Sequence, residues 1–148
     1  MIEQRINILG DAVLKIADCI CFTSNGIVKN NGELVMGCGV ALAFKNYFPG
    51  IQRAAGIQVS KTGNHVYLLA KRDGVNIVSF PTKHHYKNPS DLKLIERSAS
   101  ELMALTTSNG WSKVFLPRPG CNMGRLHWPT VKQTIEKILD DRIIICSL

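Results

Sequence analysis

KVFLPRPGCNMGRLHWPTV, residues 113–131, contains the three features that decide the fold: an apolar stretch, a glycine loop and the start of a helix. Lys113–Leu116 has the composition of a buried strand, and Pro129 suits the first position of a helix. A second segment, VMGCGVALAF (residues 35–44), repeats the glycine loop and the helix start. A helix N-terminus offers unpaired backbone N–H groups and a partial positive charge, and glycine lets the backbone approach an anion closely. Two such loops in one small chain predict a clamp on a diphosphate, whereas one alone is ordinary turn chemistry.

Six segments have the composition of strands, and several are almost wholly apolar, as in Ile143-Ile144-Ile145. Strands of that kind are usually buried on both faces, beneath helices. Asp73-Gly74 predicts a hairpin turn between the third and the fourth. The predicted strands are Arg5–Leu9, Cys19–Thr23, His65–Ala70, Val75–Phe80, Lys113–Leu116 and Arg142–Cys146.

Three helices are predicted between these strands. Gly39–Phe48 opens at the first glycine loop, Asp91–Thr107 has apolar residues at helical spacing with Ser90 as its N-cap, and Pro129–Leu139 has one apolar face. Strands and helices in this order predict an α/β fold, a three-layer αβα sandwich with a mixed six-stranded central sheet. We expect residues 1–148 to form a single domain with ligand loops at the strand ends.

Size and charge narrow the possible functions. The 148 residues are 45% hydrophobic, which indicates a sizeable core, and no apolar run reaches the roughly 18 residues of a membrane span. Lys and Arg number 18 against 11 Asp and Glu, and the resulting net charge of +7 favours polyanionic partners such as nucleotides or nucleic acid, although a solvated basic surface explains it equally well.

Cysteine and histidine usage sets further expectations. The five cysteines include no Cys-x-x-Cys pair, which fits a reducing cytosol, and the start of the chain lacks the pattern of a signal peptide. His84-His85 lacks metal-ligand spacing. We therefore expect a cytoplasmic monomer without metal, cofactor or membrane contact.

Four blocks of sequence follow the order of motifs in one known family. They are Gly10-Asp11, Thr23-Ser24-Asn25, residues 35–44 and residues 116–128. Over nearly its whole length the chain thus resembles a macro domain, the ADP-ribose-binding module. The resemblance implies that Asp11 contacts adenine, that Asn25 approaches the distal ribose and that the two glycine loops hold the diphosphate. The ligand-binding residues that it implies are Asp11, Gly37, Cys38, Gly39, Val40, Pro117, Gly120, Cys121, Asn122, Met123 and Gly124.

Residues 80–83 (FPTK), followed by Asn88-Pro89-Ser90, resemble one branch of that family. The branch includes the terminal ADP-ribose protein glycohydrolase and antitoxins that remove ADP-ribose from DNA. In it, a lysine after a threonine attacks or polarises the anomeric carbon, which implies that Lys83 is catalytic together with Asn25. The glycohydrolase also uses an acid at the position of Gly124, where the DNA-acting antitoxins likewise have glycine. Glu33 is the only carboxylate near the first loop and is the alternative acid.

The predicted function is therefore ADP-ribose binding, with hydrolysis of an ADP-ribosyl linkage to a modified protein or nucleic acid and with Lys83 acting at the distal ribose. Three alternatives stay open. The missing acid favours a non-catalytic ADP-ribose reader. Some small relatives act as phosphatases on ADP-ribose 1″-phosphate. The net charge also allows a basic nucleic-acid-binding domain that has no nucleotide pocket.

Overall fold

A computed structural model describes residues 1–148 and contains one sheet of six strands. The spatial order is β1-β6-β5-β2-β4-β3, and every neighbouring pair is parallel except β3 with β4. The mixed six-stranded sheet of the prediction is confirmed. The strands are β1 (Ile2–Arg5), β2 (Cys19–Ser24), β3 (Tyr67–Arg72), β4 (Val75–Pro81), β5 (Val114–Pro117) and β6 (Ile143–Ser147).

Five α-helices cover both faces of the sheet. They are α1 (Asp11–Leu14), α2 (Val40–Tyr47), α3 (Ile51–Thr62), α4 (Leu92–Asn109) and α5 (Trp128–Ile135). β2 shows how the faces divide: Ile20 and Phe22 belong to the core beneath α1, α2 and α3, whereas Cys19 and Cys21 belong to the core beneath α4 and α5. This is the predicted three-layer sandwich. None of the helices has both the length and the apolar composition needed to cross a membrane.

The parallel strands bring their carboxyl ends to one edge of the sheet. Ser24 at the end of β2 is paired with Pro81 at the end of β4, and Pro117 at the end of β5 is paired with Cys146 in β6. The segments that follow β2, β4 and β5 therefore begin side by side. Loops at this edge are the usual place for ligands in open α/β sheets.

Several predicted boundaries were wrong, and the third strand is Tyr67–Arg72 rather than His65–Ala70. The first strand is Ile2–Arg5 rather than Arg5–Leu9, because the chain turns immediately afterwards, where the side chain of Asn7 accepts a hydrogen bond from the N–H of Leu9 at 3.1 Å. The last helix ends at Ile135 rather than Leu139. The N-cap of α4 is Asp91, whose carboxylate accepts a hydrogen bond from the N–H of Lys93 at 3.0 Å, and not Ser90.

The predicted order of elements was also wrong, because it contained neither α1 nor α3. Gly56 lies within α3, where glycine costs about 1 kcal/mol relative to alanine and so weakens the helical signal. Its role is a close contact: a Cβ atom built on Gly56 would lie 2.0 Å from the carbonyl oxygen of Gly32. The N–H of Leu34 also donates to the carbonyl of Gln52 in the same helix at 3.0 Å. α3 therefore supports the segment that leads into the first glycine loop.

Gly56→Ala is expected to destabilise the protein although it improves helix propensity. The gain of about 1 kcal/mol in propensity is outweighed by overpacking against the backbone of Gly32, which typically costs about 1–3 kcal/mol and occasionally more. Urea denaturation should show a lower unfolding midpoint than in the wild type. Ser60→Ala, at an exposed position of the same helix, is the control and should leave the midpoint nearly unchanged. A Gly56→Ala protein more stable than the wild type would contradict the close contact.

Candidate functional site: a cleft between two glycine loops

A cleft of about 820 Å³ opens at the carboxyl edge of the sheet. Its walls come from the turn after β1, the end of β2, the two glycine loops, the segment after β4 and the end of β6. Every residue predicted to bind the ligand or to act in catalysis lines this cleft, except Asp11 and the alternative acid Glu33. The fold thus brings together residues that lie far apart in sequence.

The first glycine loop ends in a row of unpaired donors. Gly37 and Gly39 have φ angles of 57° and 73°, in the region that favours glycine, and Gly39 is the N-cap of α2. The backbone N–H groups of Gly37, Cys38, Gly39 and Val40 donate no hydrogen bond within the protein. They lie at a helix N-terminus that has no side-chain cap, which is the arrangement that binds anions.

The second glycine loop, which lines the same cleft, offers a similar row. The N–H groups of Gly120, Cys121, Asn122 and Met123 likewise have no partner within the protein. A short 3₁₀-helix, Asn122–Gly124, follows directly. Gly120 has a φ of 80°, and a Cβ atom there would lie 2.5 Å from Cδ1 of Ile95 in α4. Glycine at this position therefore lets the loop pack down onto the helix.

An ion-pair cluster anchors the beginning of the second loop. The guanidinium of Arg118 lies 5.0 Å from the ring centroid of Trp128 and 3.9 Å from a carboxylate oxygen of Glu3. Glu3 also accepts hydrogen bonds from Nζ of Lys132 at 2.7 Å and from Nε1 of Trp128 at 2.9 Å. The bond from Lys132 is the main cause that lowers the pKa of Glu3. This cluster ties the loop to β1 and α5.

Asn25 holds the first loop against the end of β2. Its side chain is buried, its Nδ2 donates to the carbonyl of Val35 at 2.8 Å, and its Oδ1 accepts from the N–H of Ile27 at 2.9 Å. Because both ends of the amide are engaged with backbone, the structure gives Asn25 a positioning role for the loop. Its contact with the distal ribose stays a prediction.

Lys83 bridges the segment after β4 and the second loop. Its Nζ donates to the carbonyl of Met123 at 3.2 Å and to that of Tyr86 at 3.4 Å. Its own carbonyl accepts from Nδ2 of Asn64 at 2.9 Å, and its N–H donates to the carbonyl of Ser24. The ammonium is therefore held at the cleft beside the unpaired amides of the second loop.

No Asp or Glu side chain lines the cleft. Gly124 is packed so closely that a Cβ atom would lie 2.3 Å from Oγ of Ser90, which is buried without a hydrogen-bond partner. Glu33 does not line the cleft; its carboxylate contacts Lys29 at 3.8 Å and Gln52 at 3.4 Å, so it does not supply the missing acid. Sequence reasoning missed this contact between Ser90 and Gly124, because only the folded chain brings the two residues together.

The opposite end of the cleft is mostly apolar. Ile6, Ile8, Leu9 and Cys146 line it. Burial raises the pKa of the Cys146 thiol to about 12, so this thiol is neutral at pH 7 and acts as a packing group. Asp11 lies outside the lining, exposed at the first residue of α1, and its contact with adenine stays a prediction.

Asn25→Asp is expected to loosen the first glycine loop. The substitution keeps the acceptor for Ile27 but places a buried, charged oxygen against the carbonyl of Val35, and a broken buried hydrogen bond costs about 1–3 kcal/mol. Hydrogen exchange of Ile27 and Val35 should accelerate and the urea midpoint should fall. Asn30→Asp, the same chemical change at an exposed site without a side-chain hydrogen bond, should alter neither. Unchanged exchange in Asn25→Asp would contradict the positioning role.

Comparison with known proteins identifies relatives that share this fold. No family model matches the chain. The chain is 32% identical over 116 residues to the ADP-ribose glycohydrolase OARD1 of Bos taurus, covering 76% of this chain and 74% of that protein. It is 31% identical over 113 residues to the DNA ADP-ribosyl glycohydrolase of Thermus aquaticus, covering 72% of this chain but only 31% of that longer protein.

Solved structures agree with these relatives. The macrodomain of Thermus aquaticus DarG superposes with a TM-score of 0.76 at 27% identity, over 99% of this chain and 97% of that one. The macrodomain of Mycobacterium tuberculosis DarG gives a TM-score of 0.74 at 25% identity, over 99% and 98%. Identity above 30% across three quarters of a curated relative, together with the shared fold, shows that the chain belongs to the macro-domain family, in the branch that contains OARD1 and DarG.

Proposed function

We propose that this macro domain binds ADP-ribose in the cleft and hydrolyses the bond between ADP-ribose and a modified macromolecule. The observation that carries the proposal is two rows of unpaired backbone N–H groups on loops that line the same cleft, with Lys83 beside one of them. The names of the relatives support it, since OARD1 is an ADP-ribose glycohydrolase and the Thermus aquaticus relative is a DNA ADP-ribosyl glycohydrolase.

The cleft has a place for each part of ADP-ribose. The two rows of amides suit the oxygens of a diphosphate, because backbone donors at a helix N-terminus bind anions without needing a cationic side chain. The apolar end near Ile6 and Leu9 suits the adenine ring. The distal ribose then lies toward Lys83, at the end of the cleft where the second loop and the segment after β4 meet.

Hydrolysis requires breaking the bond from C1″ of the distal ribose to the target and adding the elements of water. Lys83 is the titratable group in the cleft placed to act at this carbon, either by polarising the ribose as an ammonium or by attacking C1″ as an amine. In the second route the bond from C1″ to the target breaks as the N–C1″ bond forms, the target leaves with a proton, and water then hydrolyses the lysyl adduct to release ADP-ribose and Lys83. Because no Asp or Glu side chain lines the cleft, the cleft offers no acidic side chain to a substrate that depends on one. We therefore expect a nucleic-acid linkage to be cleaved better than a glutamyl ester, and the net charge of +7 favours the same polyanion.

A second candidate is a reader that binds ADP-ribose without hydrolysing it. The absence of Asp and Glu side chains from the cleft lining favours this candidate. Both candidates require ADP-ribose binding, and they differ only in turnover.

We also propose that the protein acts as a monomer in a reducing compartment, the cytoplasm. All five cysteines are free, and Cys19, Cys21 and Cys146 are buried. Buried reduced thiols pack as small apolar groups, and oxidation of these three would disturb the core.

Lys83→Ala is expected to separate binding from chemistry. The diphosphate and adenine contacts lie elsewhere, so calorimetry should show free ADP-ribose binding one-to-one with nearly wild-type affinity. The transition state loses its main partner, and the rate of ADP-ribose release should fall by about a hundredfold or more. Release is measured from ADP-ribosylated oligonucleotides, glutamyl-ADP-ribosylated peptides and ADP-ribose 1″-phosphate.

The control is Lys61→Ala, which removes one exposed positive charge at the far end of α3 and should change neither affinity nor rate. Binding without release from any substrate would support the reader. No binding of ADP-ribose to the wild type at millimolar concentration would overturn the proposal as a whole.

A further inference from the structure

Two exposed apolar side chains flank Lys83 at the mouth of the cleft. Tyr86 is 39% exposed and Met123 is 61% exposed, and both line the cleft. Their backbone carbonyls accept hydrogen bonds from the same ammonium, at 3.4 Å for Tyr86 and 3.2 Å for Met123. The two residues therefore lie on either side of Lys83, Tyr86 in the segment after β4 and Met123 in the second glycine loop. We call this pair the mouth.

The ring of Tyr86 is held in place before any ligand arrives. It stacks on the ring of His85, with centroids 4.4 Å apart and an interplanar angle of 29°. His85 is fixed in turn, because its Nδ1 accepts a hydrogen bond from the N–H of Lys87 at 3.1 Å. A preorganised aromatic surface loses little conformational entropy when a planar group binds to it.

The charge around the mouth is positive. Nζ of Lys87 lies 6.0 Å from the centroid of the Tyr86 ring, and Nζ of Lys83 lies between the carbonyls of Tyr86 and Met123. The nearest carboxylate along this segment, Asp91, is already paired with Nε2 of His84 at 2.8 Å and caps α4. The mouth thus combines a partly exposed aromatic ring with two lysines, and the one carboxylate of this segment is already engaged by His84.

We propose that the mouth is a nucleobase-binding subsite, in which a base carrying the ADP-ribose stacks on Tyr86 against Met123 while Lys87 contacts an adjacent phosphate. This inference rests on the proposed function, because it assigns the group that leaves C1″ of the distal ribose. Base stacking on an aromatic side chain together with a cation for the backbone is the recognised way to hold single-stranded nucleic acid. A duplex would hide both faces of the base, so the subsite selects a single-stranded or extruded base.

A peptide substrate does not need this arrangement. A glutamyl linkage would present a flexible aliphatic chain and a peptide backbone at the mouth, and neither requires a flat aromatic surface. Removal of the Tyr86 ring should therefore weaken the binding of an ADP-ribosylated oligonucleotide and leave the binding of an ADP-ribosylated peptide unchanged.

The test compares Tyr86→Ala, Tyr86→Trp and Tyr47→Ala with the wild type. Tyr47→Ala is the matched control, because Tyr47 is also an exposed tyrosine, at 51% against 39% for Tyr86, and it does not line the cleft. KM and kcat are measured for a single-stranded oligonucleotide carrying ADP-ribose on a base and for a peptide carrying it on glutamate; where a substrate is not turned over, its Kd is measured instead. The Kd of free ADP-ribose is measured for each variant.

Tyr86→Ala should raise KM or Kd for the oligonucleotide by about tenfold or more, the loss expected when one base no longer has an aromatic ring to stack on. Tyr86→Trp should keep wild-type values for the oligonucleotide. In every variant, the KM or Kd of the peptide and the Kd of free ADP-ribose should change less than about twofold. An unchanged oligonucleotide value, or an equal loss for the peptide, would overturn the subsite while leaving the proposed function in place. If the wild-type protein does not bind free ADP-ribose, the proposed function itself is overturned.

Discussion

Parallel pairing of β2 with β4 and β5 is the constraint on which the site depends. It brings the carboxyl ends of these strands to one edge of the sheet. Asn25, Lys83 and the second glycine loop follow these strand ends and therefore line the same cleft. The two buried cores fix this pairing, because β2 alternates Phe22 toward one layer of helices and Cys21 toward the other. A one-residue slip of β2 would exchange these side chains between layers, which makes the register costly to change.

The loops at this edge keep their backbone donors free because their conformation is held from outside. Asn25 ties the first loop to β2, and α3 supports its approach through the close contact of Gly56 with Gly32. The second loop packs Gly120 onto Ile95 and carries Arg118 against Trp128. A loop with unpaired amides binds an anion most tightly when it already has the bound conformation, because little conformational entropy is then lost on binding. Much of the surrounding structure thus serves to present two rows of N–H groups.

Sequence was most informative where a feature is local. Glycine loops, apolar strands and the Asp73-Gly74 turn follow from short-range rules, and the structure contains the hairpin they predict, with φ angles of 50° and 82° at its two turn residues. The features that sequence reasoning missed depend on contacts between residues that lie far apart in the sequence. Gly56 weakens the helical signal of α3 for the sake of a loop more than twenty residues away in sequence. The pairing of Ser90 with Gly124, and the exposure of Tyr86 beside Lys83, exist only after the second loop has folded onto the segment after β4.

The central claim is that both glycine loops bind one diphosphate through their backbone amides. The most direct measurement is a titration of nitrogen-15-labelled protein with ADP-ribose, followed through the amide resonances of Gly37–Val40 and Gly120–Met123. The account predicts large shifts in both sets, saturating together at one equivalent, whereas the amides of α5 stay unchanged. Shifts in only one loop, or in neither while ADP-ribose still binds, would contradict it.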